Sequence, residues 1–423
     1  MLKKILFLIA IFSGSLCQIL AQSTLSNEEK YNLLRERLRT EFLYYTGNGM
    51  ERGTSQPMER RYQTRNGLTG YWCDGIWWQG HYVALLATEY ARLQQEGKST
   101  DATLKELRCA LQVYDRLDLE AEKCWGGDTF AHPNGFYLRD DIWRADTSRF
   151  GVQWITSDYE YQCGKTDSKR NAPSQDQAWG SYIGFALVQK LVDDAELCQK
   201  VAEISQRMVA FMQNKEGEKE NWSIINPVTH NEIQPKMDLI WLQYAHLTIG
   251  DLLSGATPAG TKKENAGRST WKLVQDNMFI SKTGNFRWYG ILSMSAVMND
   301  AGSGKDCYAW LVKSCDRIVR KRPDLQQELV FPHLPLINLV IYGKEGKELL
   351  PRKQYDAYLN SAPTDGKLTQ TTAGQTVRNA PPWHCLSLFC PWRTADTGEV
   401  NMIDYLLLYN LVELIYGSES EKQ

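Results

Sequence analysis

Apolar positions recur along most of this chain at the interval of a helix face, and clear alternation of apolar with polar positions is scarce. That period, with the residues flanking each run, predicts helices over Asn27–Tyr45, Asp74–Gln95, Ala102–Leu117, Asp176–Val192, Ala195–Gln213, Pro235–Leu253, Leu292–Asp300, Lys305–Val319, Leu334–Tyr342, Gln354–Leu359 and Val400–Tyr416. Three connections interrupt them: Glu120 to Ser174, Gly255 to Arg287 and Ser361 to Thr397. The first holds Trp125, Phe130, Phe136, Tyr137, Trp143, Trp154, Tyr159 and Tyr161 beside His132, Asp128, Asp140, Asp141 and Asp158. A long aromatic loop in a compact domain points to function. Helices in succession, without the strand alternation of a parallel sheet, predict an all-α fold built from hairpins.

A finer pattern sits at the helix starts. An aspartate stands three residues before a tryptophan four times, at Asp74…Trp77, Asp140…Trp143, Asp176…Trp179 and Asp238…Trp241. Random placement would give roughly one such pair. Three of the four open apolar helical runs, where Asp is a good N-cap and the Trp falls on the first turn. Carboxylate and indole would then leave one helix mouth together. A single copy reads as a cap with a packed first turn; the repetition suggests several mouths around one cleft. Small residues on the same helices, Gly80, Ala84, Gly180, Gly184 and Ala186, allow the close approach that a closed ring of helices needs.

Lys3 and Lys4 before the apolar run Ile5–Phe12, with Ala21 ahead of Gln22, read as an export signal over residues 1–21. Cys17 raises the alternative of a lipid anchor, which the bulky Leu16 before it disfavours. No other stretch is long and apolar enough for a transmembrane segment. The formal charge of −2 and the lack of a basic stripe argue against nucleic acid. Aromatic residues are in excess, with 14 Trp and 21 Tyr, which suits sugar stacking as well as a core. Of the 10 cysteines none forms a CxxC or a Cys/His spacing typical of zinc. No HExxH or similar ligand spacing is present, so neither a metal nor a cofactor is expected. Cys109 and Cys198, inside helical patterns, read as small buried hydrophobes.

The stretches Tyr71-Trp72-Cys73-Asp74-Gly75-Ile76-Trp77-Trp78-Gln79-Gly80-His81-Tyr82, Gly135-Phe136-Tyr137-Leu138-Arg139 and Ser174-Gln175-Asp176-Gln177-Ala178-Trp179-Gly180 resemble the six-hairpin glycosidase-like superfamily. Its members are (α/α)6 toroids and include unsaturated glucuronyl hydrolases and other exported bacterial polysaccharide-processing proteins. The resemblance implies that residues 22–423 form one toroid of helical hairpins with long aromatic loops over one end. It also implies that Asp74, Asp176 and Asp238 look into the cleft there. The full signature that places the general acid in the glucuronyl hydrolases is not present, so the resemblance does not imply their reaction.

Glycosidic cleavage uses two carboxyl groups flanking the bond, one acid and one base or nucleophile. Asp74 and Asp176 are the expected pair, with Asp238 next; a helix start favours the ionised form and suits base or nucleophile. Trp77, Trp78 and Trp179 are candidates for stacking. His81, His132, Trp383 and His384 are candidates for substrate contact, and Arg139 could hold a uronate carboxylate in a bidentate pair. The expectation is a periplasmic or cell-surface glycoside hydrolase acting on an oligosaccharide. Two other classes stay open: a glycan-binding protein, and a lyase using Tyr159, Tyr161, His132 and Arg139.

Overall fold

A computed structural model describes residues 25–45, 47, 51–63, 65–72, 75–125, 132–157, 175–220, 225, 332–342, 349–365, 367–370, 376–377 and 397–420. The expected helices Pro235–Leu253, Leu292–Asp300 and Lys305–Val319 lie outside these residues. Eight α-helices are described: α1 (Asn27–Arg37), α2 (Gly75–Gln95), α3 (Asp101–Trp125), α4 (Gln175–Leu191), α5 (Ala195–Gln213), α6 (His333–Tyr342), α7 (Arg352–Ser361) and α8 (Ile403–Ser420). Among the described residues the fold is mostly helical.

Helix starts follow local chemistry. Ser26 and Glu29 cap α1 reciprocally: the Glu29 amide donates to the Ser26 hydroxyl at 3.2 Å and the Ser26 amide to the Glu29 carboxylate at 2.8 Å. The chain then widens into a π turn over Leu38–Phe42 instead of continuing as α-helix to Tyr45. Asp194 caps α5 by accepting from the Glu196 and Leu197 amides, both at 3.1 Å, and Asn214 ends it in the left-handed region.

The helices divide by burial. α2 is buried around almost its whole circumference from Gly75 to Tyr90, and α8 likewise from Ile403 to Val412. A helix apolar on every side belongs inside. α5 buries one stripe, Leu197, Val201, Ile204, Met208 and Met212, and leaves the opposite face exposed. α2 and α4 lie closest. A Cβ added to Gly80 would stand 2.3 Å from the Gly180 carbonyl oxygen, and one added to Gly184 would stand 2.3 Å from the Gly80 carbonyl oxygen. Trp77 meets Gly180 and Val83 meets Gly184, so the contacts advance together along both helices, which therefore run in the same direction. α3 runs opposite to α2, since Gln79 donates to the Ala110 carbonyl at 2.8 Å while Glu89 accepts from Thr103 at 2.8 Å.

Buried charge ties the outer helix α1 to α2 and α3. Arg35 pairs with Glu89 at 2.8 Å and Glu106 at 2.9 Å, and Tyr31 and Tyr82 donate to the same two carboxylates. Burial pushes the Glu89 carboxyl up, but the Arg35 guanidinium and three hydrogen bonds outweigh it and bring it down to about 2. Lys30, equally buried, donates to the Leu359, Asn360 and Ala362 carbonyls at the end of α7.

The sequence shows few strands, yet the fold contains a six-stranded sheet. It has the order β3-β2-β1-β8-β6-β7, with β1 Glu59–Gln63, β2 Gly67–Tyr71, β3 Trp154–Thr156, β6 Lys367–Gln370, β7 Thr376–Val377 and β8 Thr397–Glu399. β4 (Lys215–Glu216) and β5 (Lys219–Glu220) form a separate small hairpin. Among the described strands only the β2–β3 pair is parallel. Strands of two to five residues are too short for a period-two pattern to register. β1 beside β8 brings residues 60–62 against 397–399, and Asn401, just before α8, donates to the Met58 carbonyl at 3.1 Å.

Candidate functional site

The starts of α2 and α4 lie side by side, and the residues around them are closely fitted. Gly75 opens α2 with no room for a side chain, because an added Cβ would stand 2.3 Å from Gln56 Nε2 and 2.7 Å from the Arg139 carbonyl oxygen. Gln56 donates to that carbonyl at 2.8 Å, and Trp72 Nε1 donates to the Gln56 carbonyl at 3.2 Å. The segment bearing Arg139 is thereby held against the mouth of α2.

Asp74 directly precedes this start and lies outside the described residues, as do Asp238, Trp383 and His384. α4 begins at Gln175, which makes Asp176 its second helical residue instead of the cap. The side chains of Asp176 and Trp179 are outside the described set. Trp77 and Trp78 are only 3 % and 5 % exposed; Trp77 covers Gly180 and stands 5.0 Å from the His81 ring. Sugar stacking needs an open ring face, and here both indoles pack the inner helices. His132 is exposed, and Arg139 is partly buried.

His81 is fully buried on the second turn of α2. Its Nδ1 lies 2.9 Å from the Trp77 carbonyl, which can only accept, so the proton sits on Nδ1. Burial lowers its pKa to about 4, a shift that the Trp77 carbonyl and Asp404 oppose and His333 reinforces. His333, the first residue of α6, donates from Nε2 to the Asp404 carbonyl at 2.7 Å and is held below the usual histidine range by burial. His333 thus ties the start of α6 to the start of α8, and both it and Asp404 act electrostatically on His81 in α2. Both imidazoles are neutral near pH 7, so neither is a cationic acid there. Neither His333 nor Asp404 belongs to the Asp…Trp pattern that marks the starts of α2 and α4. The signal was available, since each opens an apolar helix with a polar residue, but neither has a tryptophan three places on.

The aromatic loop divides into a packed part and an open part. Phe136, Tyr137 and Phe150 are buried, whereas Trp143 is 44 % and Trp154 43 % exposed. The Arg52 guanidinium lies 4.6 Å from the Trp143 ring centre. Asp140 accepts from the Ile142 amide at 3.2 Å within a turn, so this Asp–Trp pair opens no helix. Asp141 takes a bidentate contact from Arg116 at 2.8 and 3.3 Å and a third bond from the Gly53 amide at 3.0 Å. These aspartates fix the loop.

Among the described residues no group of three or more His, Cys, Asp or Glu is arranged to hold a metal ion, and no helix is long and apolar enough to cross a membrane. Cys109 is buried, Cys198 is half-buried, and both are free thiols. No family model, no curated protein and no solved structure matches the chain.

Proposed function

We propose that the chain is an exported carbohydrate-active protein with the (α/α)6 toroid architecture, a glycoside hydrolase acting on an oligosaccharide through Asp74 and Asp176. The observation that carries this reading is the glycine seam between α2 and α4. Two helices in backbone contact and running the same way have their starts at one end, and Asp74 immediately precedes one start while Asp176 is the second residue of the other. Fully buried α2 and α8, amphipathic α5 outside, and the junction of β1 with β8 suit a closed ring.

In this mechanism the amides at the two helix starts favour an ionised carboxylate. One aspartate serves as base or nucleophile. The other protonates the leaving oxygen once burial and the neighbouring negative charge raise its pKa. Asp238 is the third candidate carboxylate, with Trp179, Trp383, His132, His384 and Arg139 proposed to contact the sugar. The export reading places the mature N-terminus near Gln22, in the periplasm or at the cell surface.

The exposed rings of Trp143 and Trp154 favour a second reading, a glycan-binding protein without turnover. A panel of neutral and uronate-containing oligosaccharides separates the two. Reducing-end release with incorporation of one water per bond supports hydrolysis. An unsaturated product absorbing in the ultraviolet indicates a lyase, and binding without products indicates the glycan-binding protein.

A further inference from the structure

We propose that Asp118 and Glu122 form a proton-held latch on the segment 132–141, which stays docked while Glu122 is neutral and loosens when both carboxyls are ionised. The two residues lie one turn apart near the end of α3 and reach the same turn of chain. Asp118 accepts from the Asn134 amide at 3.0 Å and the Gly135 amide at 2.9 Å, and Glu122 accepts from the Asn134 side-chain amide at 2.6 Å. Gly135 fixes the turn: its φ is +92°, and an added Cβ would stand 2.1 Å from the Arg207 carbonyl oxygen. Glu122 is 4 % exposed, and its second carboxyl oxygen is buried with no hydrogen-bond partner among the described residues.

The surrounding charges leave Glu122 as the weaker site for a negative charge. From α5, Arg207 reaches Asp118 at 3.4 Å and Asp115 at 2.6 Å, and Lys200 pairs with Asp115. On α3 itself Lys123 turns to Glu120 at 3.2 Å, and Glu120 also takes Arg52 at 2.9 Å. The segment contributes Asn134 and the exposed His132. No described cation pairs with Glu122, whose nearest titratable influence is the Asp118 carboxylate. Burial and that neighbour raise Glu122 to about 7, and burial raises Asp118 to about 6 against its two amide bonds and Arg207. Ionised Glu122 has one hydrogen bond in the docked position and full hydration outside it, so losing the proton to water favours withdrawal from Asn134. The released segment includes Arg139, whose carbonyl abuts the start of α2. The latch does not depend on the carbohydrate reading.

Hydrogen exchange by mass spectrometry on the mature chain from pH 5 to 8, corrected for intrinsic rates, tests this on peptides spanning 132–141. The opening constant is expected to rise about tenfold per pH unit from 5 to 7 and to level off above, while α5 peptides stay protected. Glu122→Gln should keep the segment protected and remove the slope between pH 6 and 7, leaving only the part below about 6 that belongs to Asp118. A flat wild-type profile, or an unchanged slope in Glu122→Gln, overturns the proposal. If that variant fails to fold, Asn134→Ala decides: open at every pH supports the latch, and a retained slope overturns it.

Discussion

The α2–α4 seam and the loop segment 132–157 touch at the start of α2, yet they are held by opposite means. The seam has almost no polar chemistry. It depends on hydrogen atoms at Gly80 and Gly184, where an added side chain would displace backbone, and at Gly180, where it would press on the Trp77 indole. The loop is held by polar bonds: Arg116 on Asp141, Asp118 on the Asn134–Gly135 amides, and Gln56 on the Arg139 carbonyl. The seam therefore sets direction and spacing through shape, whereas the loop is set by a few polar bonds, of which those to Asp118 and Glu122 vary with protonation.

Breaking the loop should have the largest effect. Arg116→Met leaves the Asp141 carboxylate buried beside a single amide donor, and about 3–5 kcal/mol should be lost, read as a fall in the urea midpoint. The seam should respond less. Gly80→Ala forces a backbone shift against Gly180, and its overpacking cost, less the gain in helix propensity, leaves a net loss of about 1–2 kcal/mol. Asp194→Ala, remote from both, tests ordinary capping and should cost about 1 kcal/mol.

Acidity sharpens the contrast because the two regions answer it with opposite sign. His81 binds its proton less readily in the folded chain than in the unfolded one. The stability it contributes is present above about pH 6.5 and is lost as pH falls toward 4. Glu122 binds its proton more readily when folded, so its contribution is present below about pH 4.5 and is lost as pH rises to about 7. Melting temperature against pH should therefore tilt toward acid stability in His81→Gln and toward base stability in Glu122→Gln, each relative to wild type.

The seam was legible because helical period and small residues are local properties. The starts of α2, α4, α5 and α6 fall within one residue of where the pattern placed them. The end of α3 was not legible, since the helix continues past Leu117 to Trp125 through Asp118 and Glu122, whose partners lie 12 to 17 residues further on. The same holds for the sheet: β1 meets β8 more than 300 residues away, and nothing near either strand encodes that pairing. The aspartates divided likewise. Repetition singles out Asp74 and Asp176 at helix starts, whereas the Asp140…Trp143 copy of the same spacing lies in a turn, and Asp141 beside it is held by an arginine far off in sequence.

The central claim is that the starts of α2 and α4 form one catalytic mouth. Asp74→Asn and Asp176→Asn test it directly, because each keeps the size and much of the hydrogen bonding of the carboxylate and removes its charge. On the oligosaccharide panel wild type should release product, and release should fall by about 10²-fold or more in each variant, with melting temperature nearly unchanged. Turnover near wild type in both, or a loss that merely tracks unfolding, would contradict the claim.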